Sequence, residues 1–167
     1  LGDVQSMMRH MGIKPLKVLP PHADPEYFTC EARHEFSTAY PAINFIGIEP
    51  MVKPAAALSR SGHIAVFATP LTLASQRYRE LVAQHASNLL VDEPNTAGWA
   101  AAIEHDTLSE ISFNELREAI AGGCDVIVLA CTHYLALQTR LSLEFPEVTI
   151  LEPTEAIARQ VVLLALE

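Results

Sequence analysis

Apolar residues in this chain gather into short unbroken runs separated by stretches with a helical repeat. From His63 to Ala68 the chain reads HIAVFA, and from Val126 to Ala130 it reads VIVLA. Runs this short, without alternation and with β-branched residues, fit strands covered on both faces. Lys17–Leu19, Ile43–Ile48, Asn88–Val91 and Glu147–Leu151 read as further strands. Between them the pattern predicts helices over Asp3–Met11, Ala55–Leu58, Thr69 to about His85, Thr96–His105, Ser112–Ile120, Leu137–Leu143 and Thr154–Leu166. In these, Leu73, Tyr78, Leu81, Val82, Trp99, Ile103, Ile157, Val161 and Leu164 are expected to face inward.

Local signals mark the element ends. Thr69 followed by Pro70 suits a helix start, because Thr69 can cap and Pro70 has no amide to leave unpaired. Ser112 and Glu115 have the spacing of a capping box. Gly122 and Gly123 stop one helix and lead into the Val126 strand, and Tyr27–Tyr40 is ambiguous before Pro41. From Gly62 onward strands and helices alternate, which favours right-handed parallel units and an α/β fold.

Composition narrows the functions. A chain of 167 residues buries roughly two thirds of its unfolded surface as one domain. Half of its residues are hydrophobic and 19% are charged, with a net charge of −9. That balance leaves no electrostatic footprint for nucleic acid or an anionic membrane. No apolar stretch reaches bilayer length, and Leu1–Met11 lacks a signal-peptide pattern. Cys30, Cys124 and Cys131 are odd in number and without CxxC spacing, which argues against a disulfide framework or a thiolate zinc site. A reducing cytoplasm is the expected location. His22, Asp24 and Glu26 crowd a proline-bounded loop and are read as a solvated turn more readily than as metal ligands.

The chemistry-bearing stretch is CDVIVLACTHYLALQTRLSLEFPEVTILEPT, Cys124–Thr154. It reads as strand, helix, strand, with Cys131, Thr132 and His133 at the carboxyl end of the first strand, where open α/β sheets bind ligands. A thiol is a base when its surroundings favour the thiolate, a hydroxyl can orient a carboxylate, and an imidazole can relay a proton. The residues alone leave two readings open: a reactive thiol, or a small buried hydrophobe ending a strand.

GGCDVIVLACTHY, at 122–134, resembles the second cysteine motif of the glutamate racemase family, within the wider aspartate/glutamate racemase fold. INFIGIEPMVKPAAALSRSGHIAVFATPLTL, at 43–73, resembles that family's domain crossover and the start of its other domain. The similarity runs from about Ile43 to the end, thinning between about Asn88 and Asn114.

The resemblance implies a two-lobed fold with parallel sheets and a truncated first lobe. Residues 1–58 and 123–167 would form the split first lobe, and 59–122 the second. It also implies a cofactor-independent enzyme in which two cysteines on opposite faces of glutamate's α-carbon exchange a proton, supplying D-glutamate for peptidoglycan. Cys131 matches the second catalytic cysteine, His133 its assisting histidine, and Thr132 and Thr69 substrate contacts. Glu104 resembles the family's acidic residue beside that histidine. Cys30 is the candidate for the opposite thiol, while Cys124 is read as structural. No metal is implied. Partners would be glutamate, with no nucleic acid and no membrane, and a second copy of the chain as a dimer.

The first half departs from the family. Its Asp-Ser-Gly, Pro-Tyr-Gly and Cys-Asn-Thr motifs do not occur here, and in HADPEYFTCEARHEF, at 22–36, Glu31 and Ala32 follow Cys30. Two alternatives therefore stand beside glutamate racemase: a catalytically impaired racemase-fold fragment acting in self-association or protein binding, and an aspartate or other amino-acid racemase.

Overall fold

Every residue of two short strands, His63–Phe67 (β1) and Val126–Leu129 (β3), is buried, as their unbroken apolar runs require. The computed structural model describes Thr38, Tyr40, Pro41, Ile46 and residues 49–165. Within it β1 and β3 pair in parallel, Ile64 opposite Val126 and Phe67 opposite Leu129. The shorter strands Leu90–Asp92 (β2) and Thr149–Leu151 (β4) flank them, partly exposed, giving the order β2-β1-β3-β4. All three pairings are parallel.

Because successive strand side chains point to opposite faces, the central pair divides the core in two. Ile64, Val66, Val126 and Val128 meet Val52 and Ala55 of α1 (Val52–Leu58) and Tyr78 and Leu81 of α3 (Gln76–His85). Ala65, Phe67, Ile127 and Leu129 meet the other layer. That layer holds α4 (Trp99–Glu104), α5 (Asn114–Ala121), α6 (Gln138–Glu144) and a 3-10 turn at Thr132–Leu137. Trp99 is its centre, stacked on Phe67 at 5.2 Å and edge-on to Phe113 and Tyr134. After β4 comes α7 (Thr154–Ala165).

Asp125 ties the two halves of the sheet's amino end together. Its carboxylate accepts from the Ser59 hydroxyl at 2.6 Å and from the Arg60 and Ser61 amides at 2.7 and 3.0 Å. Partial burial works to raise its pKa, but these donors together outweigh burial and hold it at about 2.

Several expectations change. The helix from Thr69 to His85 is two, α2 (Pro70–Ala74) and α3, because Ser75 is extended and caps the second by accepting from Tyr78 N. The capping box is not formed. Ser112 accepts from Asn114 N at 3.3 Å, while Glu115 turns away to accept from Asn95 N at 2.7 Å. The helix expected from Thr96 starts at Trp99, since Gly98 has φ +81°. Val161, expected inward, is 49% exposed. Across the boundary expected at 122–123, β1 and β2 pair with β3 and β4 in one sheet on which α1 packs as well. The Gly122–Gly123 pair ends α5. Asp3–Met11, Lys17–Leu19, the His22–Glu26 loop, most of Tyr27–Tyr40 and of Ile43–Ile48 lie outside the described residues. Among the described residues no helix is long and apolar enough to cross a membrane.

The Asp125 contacts have a pH signature. With its folded pKa depressed, the stabilisation is complete above roughly pH 4 and is lost as pH falls through the folded value, about 2. Asp125→Asn should lower unfolding free energy at neutral pH by about 1–3 kcal/mol. It should also flatten stability between those pH limits, as measured by urea denaturation across the range.

Candidate active site

The strand order creates a switch point. From β1 the chain leaves through α2 and α3 to reach β2 on one side, whereas from β3 it leaves through α6 to reach β4 on the other. Connections that diverge this way open a crevice at the carboxyl ends of the adjacent strands. The last main-chain bond between the pair is Ala130 N to Phe67 O at 2.8 Å. Since Phe67 lies opposite Leu129, Thr69 and Cys131 stand at equivalent places just past the paired ends.

Cys131 is half-buried and extended, the residue from which the 3-10 turn starts. Its Sγ lies 3.7 Å from His133 Nδ1, and His133 Nε2 lies 2.9 Å from Glu104 Oε1. An ionised carboxylate only accepts, so Nε2 carries a hydrogen, and in the neutral ring Nδ1 then presents its lone pair to the thiol. Burial pushes the Cys131 thiol above its ordinary value, opposed by the backbone amides of His133 and Tyr134, which donate toward the sulfur. The resting group is therefore a thiol with a proton acceptor beside it. It can surrender its proton to Nδ1 while Glu104 steadies the resulting imidazolium, or deliver that proton outward.

α4 explains why Glu104 reaches this place. Trp99 locks the start of the helix into the core, Ile103 packs against the same cluster, and Glu104 emerges next at the rim. The structure thus brings Cys131, His133 and Glu104 together. Thr69 is at the crevice too, accepting from Thr72 N at 3.3 Å and sharing a hydrogen with Thr72 Oγ1 at 3.0 Å. Thr132 is exposed on the first position of the turn. Cys30 lies outside the described residues. Cys124 is buried and donates to Val126 O at 3.4 Å, and burial pushes its thiol up to about 11, in keeping with a structural residue. Among the described residues no group of three or more His, Cys, Asp or Glu is arranged to hold a metal ion.

Two residues at the crevice escaped the sequence reading. Tyr134 was visible only as part of a motif, yet it is almost fully buried, and burial raises its phenol pKa. Thr96 was read as the first residue of a helix, yet it is 2% exposed and donates to Ala68 O at 2.6 Å. A threonine in a polar loop carries no periodicity that would mark it as buried.

Alkylation of Cys131 by iodoacetamide should rise with pH around a midpoint above that of a free cysteine thiol. His133→Asn should slow it at neutral pH. Glu104→Ala should slow it no more than about fivefold, because an exposed ion pair is worth up to about 1 kcal/mol. Peptide mass spectrometry at fixed times checks all three.

The model of a family described as Asp/Glu/hydantoin racemase matches residues 35–161. The glutamate racemase of Ectopseudomonas mendocina (strain ymp) is 36% identical over 138 residues, 79% of this chain and 52% of that protein. The glutamate racemase of Herpetosiphon aurantiacus is 34% identical over 128 residues, 71% of this chain and 49% of that protein. The chain thus spans about half the length of the curated relatives it matches. Among solved structures, Escherichia coli glutamate racemase in complex with L-glutamate and the activator UDP-MurNAc-Ala has a TM-score of 0.62 at 23% identity. The match covers 89% of this chain and 69% of that one, and it shows a shared fold.

Proposed function

Because this chain belongs to the Asp/Glu/hydantoin racemase family, we propose that it interconverts L- and D-glutamate without a cofactor, with Cys131 serving one face of the α-carbon. The observation that carries the reading is the Cys131–His133–Glu104 chain at the sheet's switch point. The choice of glutamate is supported by the relatives, which are glutamate racemases.

An α-proton beside a carboxylate is a very weak acid, so a base alone is not enough, and the developing charge needs donors already in place. In this reading Thr69 and Thr132 hold the α-carboxylate. Cys131 as thiolate takes the α-proton, so that the C–H bond breaks and an S–H bond forms. A thiol on the far side, assigned to Cys30, then gives its proton to the carbon. For the other enantiomer the roles exchange. His133 and Glu104 orient Cys131 and share its proton. The role in the cell is supply of D-glutamate for peptidoglycan, hence cell shape, in the cytoplasm, and the working form is a homodimer.

A second reading follows from the residues around Cys30, where Glu31 and Ala32 stand in place of the family's Cys-Asn-Thr motif. With Cys131 alone, the protein would exchange the α-proton of one enantiomer without inverting it. A fragment that acts only by binding itself or another protein would exchange none.

Solvent-deuterium uptake into separate L- and D-glutamate samples tests these readings. Racemisation predicts incorporation with inversion from both enantiomers. Cys131→Ser should lower that rate about 10²–10⁴-fold, and Cys30→Ala should abolish inversion. Exchange without inversion would support the one-thiol reading. No exchange from glutamate, with turnover of aspartate, would move the substrate assignment to another amino acid.

A further inference from the structure

The His133–Glu104 contact joins two separate stretches of chain, so its length depends on how those stretches are held together. Glu104 is the last residue of α4, and the chain beyond it turns sharply. Asp106 sits in the left-handed region at φ +58°, a conformation that aspartate tolerates better than most residues. Thr107 then folds back, its amide and its hydroxyl both donating to Ala102 O, at 2.8 and 3.3 Å. The end of α4 is therefore locked to the residue before Leu108, which opens a short 3-10 segment, Leu108–Glu110. Arg140 of α6 reaches that segment. Its Nη1 donates to Leu108 O at 2.7 Å and its Nη2 to Ile111 O at 3.4 Å, while the guanidinium lies 4.4 Å from the centroid of the Phe113 ring. Glu144, one turn along α6, stands 3.8 Å from Arg140 Nε. Phe113 in turn meets Trp99 edge-on, at the start of α4. On its other side α6 follows directly from the 3-10 turn that carries His133. One planar side chain thus spans from the segment after Glu104 to the helix after His133.

We propose that Arg140 is a positioning residue: by bridging Leu108 and Ile111 to α6, it sets Glu104 at hydrogen-bonding distance from His133. The guanidinium suits this task, because its planar fork donates to two carbonyls and stacks on a ring at once, which a lysine ammonium does not. Arg140 acts through Glu104, and an effect carried wholly by Glu104 cannot exceed the effect of removing that carboxylate. The part of this inference that concerns turnover rests on the glutamate reading, and the part that concerns geometry does not.

The test is a double-mutant cycle on the alkylation of Cys131 by iodoacetamide at neutral pH, with Cys124 as internal control and no glutamate present. Arg140→Met keeps the stem and removes both bonds. It should slow Cys131 as Glu104→Ala does, by no more than about fivefold, and leave Cys124 at its wild-type rate. In the Glu104→Ala background Arg140→Met should add nothing. Arg140→Lys keeps the charge and one donor, so it should slow Cys131 less than Arg140→Met. It too should add nothing to Glu104→Ala, which keeps the test decisive should Arg140→Met not fold. Additive slowing in the double variant, slowing beyond that of Glu104→Ala, a change in both cysteines together, or no change in Cys131 would overturn the proposal. In steady-state assays Arg140→Met should lower kcat for glutamate no further than Glu104→Ala does and leave KM within about twofold, since Glu104 meets the imidazole in place of the substrate. A wild-type protein without turnover, paired with the non-additive alkylation pattern, would sink the glutamate reading and leave the positioning role standing. Turnover paired with additive alkylation would do the reverse.

Discussion

The register of β1 against β3 sets where everything else falls. With Phe67 opposite Leu129, the two chains run out of pairing at the same level and turn in opposite directions. Both strands are wholly buried, so a slip by one residue would carry every core side chain to the wrong face. That burial leaves the register no freedom, and the positions of Thr69 and Cys131 inherit it. The crevice is thus a consequence of core packing on two faces, with aliphatic residues and Tyr78 on the α1–α3 side and an aromatic cluster around Trp99 on the other.

Burial also decides the chemistry that the thiol can perform. Half-sheltered under the turn, Cys131 is held as a thiol, while two amides and the His133 ring provide the means to ionise it. Glu104, with its side chain 62% exposed, contributes little Coulomb energy. It meets His133 Nε2 while Nδ1 faces the sulfur. The carboxylate stands behind the imidazole, on the ring nitrogen away from the sulfur.

Much of this was legible from the sequence, for identifiable reasons. The runs HIAVF and VIVL contain no polar residue inside a five- or four-residue span except the terminal His63, so their place at the sheet centre could be read directly. His63 itself is buried because Asp92 at 2.7 Å and Gly122 O at 3.3 Å meet its ring. Cys131 and His133 followed from the strand end, and Glu104 from resemblance alone. What could not be read depends on contacts between distant residues. Ser75 breaks a helix that its periodicity would continue, and Glu115 serves Asn95 in preference to its own helix start. Thr96 meets a partner 28 residues back in the chain, and no local pattern encodes that.

The account's central claim is that the ligand site lies where β1 and β3 end. Amide chemical-shift mapping on uniformly ¹⁵N-labelled protein, titrated with L-glutamate, tests it most directly. The prediction is saturable shifts concentrated at Thr69–Thr72 and Cys131–Tyr134. Shifts confined to the separate cavity of about 460 Å³ that includes Asn95, Ser112 and Asn114, or none at saturating glutamate, would contradict it.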